Sequence, residues 1–474
     1  MPQADTVAIP KRLPLVLEPA NRDEYTLKDA RLVNGYVEKN DETGEYWIFK
    51  RPGLLQTGTT KSGNGYGVYN WQGDIYSIFG TTLYKNGSSI GTVDGTGGVY
   101  RFASSLGSTP RLQLGNGVKA YNWDGTTLTQ ISGGNFPGNT YAAAAVKGWA
   151  YLDGTTYVMD TTAYIHGSDS APGMNRPDLW TDLTNLLGAQ IEPDQGIYLT
   201  KQLVYVLALK QWSTEVFYDA LNTTASPLSP VQGAKINYGC VNADSVQEID
   251  GALIWIATNR SSASQVILVE NLKVTVVSTK PIERLLGEAD FTAVASFGIK
   301  YEGHRFYGIT LKNTNLTLVY DLTDQMWAQW TDPAGNYFKI VSSTYLPGTG
   351  RVLQHETNGK LYMLDSTYLS DDGEVITVDL YTPNFDGGVR RRKQMTMMEF
   401  IGDQTQGSTL QVRVNDFDYE VTKWTNFRYV DMGVRKPTLT NCGTFMRRTT
   451  HIRHQSNTRM RLQAVELQID IGTL

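Results

Sequence analysis

The chain has 474 residues, of which 41% are hydrophobic and 19% charged, and its formal net charge is −5. This length exceeds what one core usually spans, so we expect two or three domains, or one large repeat body with additions. The acidic balance excludes the basic signature of a nucleic-acid-binding protein, and no apolar run is long enough to cross a bilayer. With 46 Gly, 27 Tyr and 10 Trp, the composition predicts an all-β protein rich in turns.

Residues 1–60 are predicted to form an N-terminal arm and a small β unit. Pro10, Pro14 and Pro19 favour an extended start, and segments 31–38 and 46–50 read as two strands around a turn. The first residues lack the basic region and apolar run of a secretory signal. We therefore expect a soluble protein made in a cytoplasm, with Cys240 and Cys442 as reduced thiols.

Residues 61–372 carry a repeated hairpin phrase and are predicted to form a β-propeller-like body. The phrase reads YNWQG at 69–73 and YNWDG at 121–125, with a weaker copy, YLDG, at 151–154. In each copy an aromatic strand runs into a turn that needs Gly, and a Thr-rich strand follows. Seven such modules recur at intervals of roughly 35 to 55 residues, the spacing of propeller blades. Their centres fall at 66–84, 100–131, 141–159, 196–218, 246–277, 291–330 and 338–364.

Two short helices are predicted to interrupt these sheets, one at 177–187 and one at 281–286. The second has Pro281 in its first turn and Gly287 at its end, which is the usual placement of these residues in helices.

Residues 373–474 are predicted to form a basic, β-sandwich-like module, because charged and apolar residues alternate along its strands. From residue 388 onward the chain has 14 Lys and Arg against 8 Asp and Glu, a net charge of +6 that leaves −11 for the remainder. The two parts are therefore expected to meet different environments.

The sequence offers no recognisable catalytic, cofactor or metal motif. Of the five histidines, only His451 and His454 lie near each other, and the spacing favours ordinary surface histidines over a metal site. Asp371, Asp372 and Glu374 lack the alternating ligand pattern of a calcium loop and are interpreted as a solvated turn. We therefore predict no catalytic residue, no cofactor and no metal.

The strongest electrostatic feature is a set of basic residues in the C-terminal module. We name as a candidate protein interface Arg390, Arg391, Arg392, Lys393, Arg447, Arg448 and Arg453. Such a surface would meet phosphate or an acidic partner in a salt-dependent way. The alternative is a solvated strand face that protects a sheet edge from aggregation, and the sequence leaves both interpretations open.

Short segments along most of the chain resemble one family. Segments 33–38 (VNGYVE) and 51–54 (RPGL) resemble the opening of the packaged-DNA stabilisation proteins, the tail-nozzle or hub subunits of P22-like short-tailed bacteriophages. Segment 67–70 (GVYN), segment 213–218 (STEVFY) and the predicted helix at 282–286 (IERLL) are similar in the same order. Glycine turns and loop lengths differ from the family pattern, so no individual partner-binding residue is carried over.

The resemblance implies a non-enzymatic virion component located in the phage tail and assembled in the host cytoplasm. Family members form a ring, taken to be a hexamer, below the portal and its adaptor protein. The ring extends the channel for double-stranded DNA, and it carries a tail needle or plug and tailspikes or tail fibres. Two alternatives stay open from the residues alone: a propeller glycosidase or depolymerase, which needs two nearby carboxylates, and a carbohydrate-binding adhesin.

Overall fold

The computed structural model describes residues 11–15, 30–40, 44–106, 109–171, 174–176, 178–418 and 420–471. Within these ranges the chain is almost entirely β, with one α-helix, α1 (Lys280–Gly287), and two short 3₁₀ turns at Ala243–Ser245 and Lys312–Thr314. None of the helical segments among these residues has the length and apolar character needed to cross a membrane. The prediction of an all-β fold is confirmed.

Seven consecutive sheet units form the body of the molecule. The strands before them are β1 (Lys11–Arg12), β2 (Arg31–Val33), β3 (Gly35–Lys39), β4 (Tyr46–Lys50) and β5 (Gly53–Thr57). Blade 1 comprises β6 (Gly65–Trp71), β7 (Asp74–Phe79), β8 (Thr82–Lys85) and β9 (Ser88–Thr92). Blade 2 comprises β10 (Arg101–Ser104), β11 (Leu112–Gly115), β12 (Ala120–Trp123) and β13 (Leu128–Gln130). Blade 3 comprises β14 (Ala150–Leu152), β15 (Thr155–Met159), β16 (Tyr164–Gly167) and, after an inserted hairpin of β17 (Asp169–Ala171) and β18 (Met174–Arg176), β19 (Leu186–Gly188).

The remaining blades follow the same antiparallel order. Blade 4 comprises β20 (Gly196–Gln202), β21 (Tyr205–Lys210), β22 (Thr214–Asp219) and β23 (Leu228–Pro230). Blade 5 comprises β24 (Gln247–Ile249), β25 (Ala252–Ala257), β26 (Gln265–Glu270) and β27 (Lys273–Val276). Blade 6 comprises β28 (Val294–Tyr301), β29 (His304–Leu311), β30 (Leu316–Asp321) and β31 (Met326–Gln329). Blade 7 comprises β32 (Ile340–Leu346), β33 (Gly350–His355) and β34 (Leu361–Asp365), and its outer strand is β5.

Each of the seven predicted modules overlaps one blade, although the third, 141–159, covers only the first two strands of blade 3. The first copy of the phrase shows why, because Trp71 pairs with Asp74 across a two-residue turn. Both turn residues have positive φ, 55° at Gln72 and 86° at Gly73, which is the turn that matches the twist of a tight hairpin. The innermost strands pack side by side, and β32 of the last blade lies against β6 of the first. The sheets therefore close around a centre as a β-propeller.

The last strands of the chain build a sandwich together with the first ones. These last strands are β37 (Val378–Tyr381), β38 (Lys393–Gly402), β39 (Thr409–Asn415), β40 (Arg428–Asp431), β41 (Thr438–Thr440), β42 (Thr444–Phe445), β43 (Thr449–His454) and β44 (Arg461–Ile471). The two short strands before them, β35 (Ser370–Asp371) and β36 (Glu374–Val375), extend the sheet of blade 7 beyond β5. One sandwich sheet runs in the order β3-β4-β44-β38-β41, with β1 on β44 and β42 on β38. The other continues blade 6 through β2, in the order β31-β2-β37-β43-β39-β40. Both sheets contribute to one apolar core.

The helix prediction is confirmed at one site and wrong at the other. Helix α1 spans Lys280–Gly287 and buries Ile282, Leu285 and Leu286. No helix exists among the described residues 178–187, because this segment turns and then adds β19 to blade 3. Its Asp182 carboxylate accepts the backbone N–H of Thr184, which is the local bonding that competes with a helix.

Candidate interaction surface

Three of the seven predicted basic residues lie exposed on one loop. Arg390, Arg391 and Arg392 are solvent-exposed between β37 and β38, at one end of the sandwich. Among the described residues, none forms an ion pair with these three guanidinium groups. A surface with three free positive charges can attract an acidic partner, and solvent screens that attraction as salt rises.

Lys393 anchors the loop that carries these three arginines. Its side chain is buried, and Nζ donates hydrogen bonds of 2.8 Å to the Arg391 carbonyl and 2.9 Å to the Met446 carbonyl. Burial lowers the pKa of Lys393, and the ammonium lies 5.6 Å from the centre of the Phe445 ring. Lys393 therefore fixes the position of the loop and does not itself present a surface charge.

Arg448 and Arg453 are also engaged within the chain. Arg448 is 2% exposed and forms two hydrogen bonds with the Asp416 carboxylate, at 2.7 and 2.8 Å. Arg453 is half-buried and pairs with Asp379, with Nε 2.7 Å from one carboxylate oxygen. Because a buried charge needs a partner, these two residues stabilise the sandwich. Sequence alone gave no means of separating them from the exposed arginines.

Met446 lies beside the exposed arginines, and Arg447 follows it in the chain. Arg447 is partly exposed, and its Nη1 lies 3.5 Å from an Asp418 oxygen. Met446 is 49% exposed. Its carbonyl and the Arg391 carbonyl both accept hydrogen bonds from the Lys393 ammonium. We call Arg390, Arg391, Arg392 and Met446 the basic rim. The sequence analysis missed Met446, which only the pairing of β42 with β38 brings to this loop.

The two histidines of β43 are buried, so the expectation of surface histidines is wrong. His451 accepts a hydrogen bond from Arg413 at Nδ1 and donates from Nε2 to Asp379, at 2.8 and 2.6 Å. It stacks on Tyr381 with ring centroids 3.9 Å apart. Burial lowers the pKa of His451 despite the carboxylate. His454 points to the opposite face of the strand, as a three-residue separation requires.

A cleft of about 530 Å³ lies between blade 6 and the sandwich, and Glu288, Asp332 and Asp379 contribute its carboxylates. Burial alone would raise the pKa of Asp379, but hydrogen bonds from His451 and Arg453 outweigh burial and lower it. The pKa of Asp332 is lowered in the same way, by Lys339 acting against burial. A glycosidase needs a general acid whose pKa is raised. Neither residue meets this requirement.

The loop carboxylates are likewise engaged. Asp371 is buried and forms a bidentate pair with Arg51, whereas Asp372 pairs with Lys360. Arg51 also donates to Asn34 Oδ1 at 3.0 Å. The Asp371 carboxylate is therefore buried in a structural pair and is not part of a solvated turn. Arg51 and Asn34 lie in the two N-terminal motifs, which meet in this one buried junction.

The sequence analysis missed one further cluster. His304 Nδ1 lies 2.6 Å from Asp321 Oδ2 and 3.3 Å from Asp324 Oδ2. Burial would lower the pKa of His304, but the hydrogen bond to Asp321 outweighs it and raises the pKa. The cluster forms because β29 and β30 pair as a hairpin, which brings the start of one strand to the end of the other. The sequence signal for this cluster is a His at the start of one predicted strand and an Asp at the end of the next.

Comparison with solved structures finds similar chains at low sequence identity. The chain is 11% identical to the extracellular domain of a one-component system, BT4673, from B. thetaiotaomicron, with a TM-score of 0.40 over 86% of this chain and 58% of that one. It is 9% identical to the RRP9 WD40 repeats, with a TM-score of 0.40 over 67% and 99% of the two chains. It is 10% identical to BamB from Moraxella catarrhalis, with a TM-score of 0.37 over 76% of this chain and 99% of that one. Among curated proteins, no sequence matches the chain.

The family comparison covers the propeller and most of the N-terminal segment. The family model described as Bacteriophage P22 Gp10, beta-propeller, matches residues 22–368. This range contains all seven blades, both N-terminal motifs and helix α1. The chain therefore belongs to the phage-stabilisation family of P22 Gp10, and it is a phage structural protein of that type.

Proposed function

We propose that this chain forms a ring, a hexamer by analogy with its family, that extends the DNA channel below the portal and adaptor of a short-tailed phage. In this role it retains packaged DNA and carries a tail needle or plug and tailspikes or tail fibres. Membership of the P22 Gp10 family supports the structural role. The proposed location is the virion tail, with assembly in the host cytoplasm.

The proposal also holds that the chain is not an enzyme. The carboxylates Asp332 and Asp379 of the large cleft keep lowered pKa values, because Lys339, His451 and Arg453 hold them ionised. A hydrolase built on this cleft would lack its proton donor at these positions. The acidic remainder of the chain, at −11, suits a channel wall that repels DNA phosphate and so lowers friction.

The observation that carries the interface proposal is the basic rim. Its three arginines are exposed on a loop that Lys393 fixes from inside. A rigid positive surface on an otherwise acidic protein fits an acidic patch on a neighbouring protein ring or on another copy of this chain. Arg447 pairs with Asp418 and stays partly exposed, whereas Arg448 and Arg453 form ion pairs within the sandwich.

The test is charge reversal of the rim in the phage that encodes the chain. We expect Arg390→Glu, Arg391→Glu and Arg392→Glu together to lower attachment to DNA-filled heads by at least about tenfold, because complementary charges become repulsive. The loss should increase at low salt, where repulsion is least screened. Lys393 stays unchanged so that the loop keeps its support.

The matched control reverses three exposed lysines of the propeller, Lys119→Glu, Lys273→Glu and Lys280→Glu. It changes the net charge by the same amount away from the rim, and attachment should stay close to the wild-type level. Normal attachment of the rim variant, or equal loss in both variants, would reject the rim as the interface.

A further inference from the structure

Three side chains converge where blade 6 meets the N-terminal strand β3. His304 begins β29, Asp321 ends β30, and Asp324 lies in the turn before β31. His304 and Asp321 are buried, and the Asp324 side chain is 13% exposed. One ligand-type atom from each, the His304 Nδ1 and the two carboxylate oxygens, lies within 4.8 Å of the others.

The backbone orients both carboxylates towards the imidazole. The Thr323 N–H donates to Asp321 Oδ1 at 2.9 Å, which leaves Asp321 Oδ2 facing His304. The Lys39 N–H donates to Asp324 Oδ1 at 3.3 Å, which leaves Asp324 Oδ2 facing the same nitrogen. Such contacts to the second oxygen are the usual support of a metal-binding carboxylate.

The two distances from His304 Nδ1 to the carboxylate oxygens are close to the distances between ligands of one ion. Ligands about 2.0–2.2 Å from a metal lie roughly 3.0–3.5 Å from each other in octahedral or tetrahedral geometry. The distance from His304 Nδ1 to Asp324 Oδ2, 3.3 Å, already lies in this range. The distance to Asp321 Oδ2, 2.6 Å, needs to open by about half an ångström, which a small side-chain rotation supplies.

The charges at the cluster also favour a cation. Two carboxylates lie side by side with little solvent, and their only ion-pair partner among the described residues is His304. One imidazole nitrogen and two carboxylate oxygens that converge at a site with little solvent are the donor types that bind a divalent transition-metal ion.

We propose that His304, Asp321 and Asp324 bind a divalent transition-metal ion, with Zn²⁺ as the best match, and with solvent completing the coordination. One nitrogen and two carboxylate oxygens suit Zn²⁺ or Mn²⁺, whereas Ca²⁺ takes six to eight oxygen ligands and Mg²⁺ keeps most of its waters. The ion is structural. Because Lys39 and the Tyr36 ring of β3 contact the cluster, the bound ion ties the N-terminal strand to blade 6.

The test uses the full chain, dialysed against a chelator and then titrated with each metal alone. Calorimetry should give one equivalent of Zn²⁺ bound, and the midpoint of thermal unfolding should rise with zinc concentration, since a ligand of the folded state stabilises it. Ca²⁺ and Mg²⁺ should leave the midpoint unchanged. Asp324→Asn should weaken zinc binding at least tenfold.

The matched control is Asp250→Asn, which removes an exposed carboxylate from the neighbouring blade and should bind zinc as the wild type does. The proposal fails if the wild-type chain binds no zinc or if Asp324→Asn binds it unchanged. Should Asp324→Asn fail to fold, the absorption spectrum of the Co²⁺-loaded wild-type chain decides. Bands of a site with one imidazole and carboxylate oxygens support the proposal, and the spectrum of free aqueous Co²⁺ overturns it.

Discussion

Arg51 connects three parts of the molecule through one guanidinium group. It pairs with Asp371 after the propeller, donates to Asn34 in the N-terminal segment, and donates to the Thr331 carbonyl at 3.1 Å beside blade 6. The guanidinium carbon also lies 4.8 Å from the centre of the Phe338 ring. At 1% exposure Arg51 cannot exchange these contacts for water. The conformation of this junction therefore depends on the charge of Asp371.

Removing that charge should destabilise the protein strongly. Asp371→Asn leaves the Arg51 cation buried without its counter-ion, and breaking a buried pair in this way costs about 3–5 kcal/mol. Urea unfolding of wild type and variant measures the difference. Asp250→Asn, which breaks the exposed pair with Lys300, is the control and should cost less than about 1 kcal/mol. Equal effects of the two substitutions would show that the junction is not a buried ion pair.

His454 should make stability depend on pH in the acidic range. Burial, together with the nearby Lys50 charge, lowers the pKa of His454 to about 3. In the unfolded chain the imidazole gains a proton near its ordinary pKa of about 6.5, whereas the folded chain gains it only near 3. Stability is therefore fully present above pH 6.5 and falls by about 1.4 kcal/mol per pH unit between 6.5 and 3.

Urea unfolding at a series of pH values from 7 to 4 tests this. His454→Gln cannot take up the proton, so its free energy of unfolding should fall less steeply than that of the wild type. Parallel curves for the two proteins would mean that His454 is protonated in the folded state near its ordinary pKa.

At the scale of elements, the seam between the last and first blades differs from the others. One apolar cluster fills the sandwich. Six others each fill the contact between two consecutive blades, from blades 1 and 2 to blades 6 and 7. Between blades 7 and 1, side-chain hydrogen bonds take this role. Gln354 accepts from the Gly67 N–H at 2.6 Å and donates to the Ile78 carbonyl at 2.8 Å. Ser342 and Thr344 accept from further N–H groups of β6.

Gln354→Ala should open this seam. The side chain is fully buried, and its loss leaves the Gly67 N–H and the Ile78 carbonyl without partners. Each such group costs about 1–3 kcal/mol, so we expect a loss of roughly 2–6 kcal/mol in the free energy of unfolding. Hydrogen exchange should rise first in β6 and β32. Gln404→Ala, at an exposed site with one hydrogen bond, is the control.

If Gln354→Ala loses no more stability than the control, other contacts hold the propeller closed. The outer strand β5 of blade 7, which comes from the start of the chain, is then the candidate.

Elements made by neighbouring residues could be predicted, and pairings between distant ones could not. The blades follow from local hairpin signals such as Gln72-Gly73, and helix α1 follows from Pro281 and Gly287. The apolar spacing in 178–187 resembles a helix, but tertiary pairing with β16 made Leu186–Gly188 a strand. Nothing local indicates that β1 and β4 pair with β44, or that β2 joins blade 6 to β37.

The residues of the candidate surface also fall into two groups, those whose exposure the sequence predicted and those whose burial it did not. The sequence identified the arginines of the basic rim because exposure of a charged run is the default. It could not distinguish them from Lys393, Arg448 and Arg453, whose partners Met446, Asp416 and Asp379 come from distant segments of the chain. Burial of a charge is decided by pairing across the sandwich, and that pairing is not local.

At the scale of the whole molecule, the propeller and the sandwich are joined by continuous sheets. Strand β2 lies between β31 of blade 6 and β37 of the sandwich, and β5 completes blade 7. The first and last segments of the chain thus share sheets with each other and with the propeller. A body connected in this way can transmit load between a ring contact at the basic rim and the propeller, as the proposed role in a pressurised channel requires.

Electron cryomicroscopy of the virion tests the central claim most directly. Particles of the phage that encodes this chain should show the propeller and sandwich repeated as a ring at the portal vertex, around the DNA channel. Particles made without the chain should have a truncated tail and should lose their DNA. Virions that lack this density, or complete and DNA-filled particles made without the chain, would contradict the account.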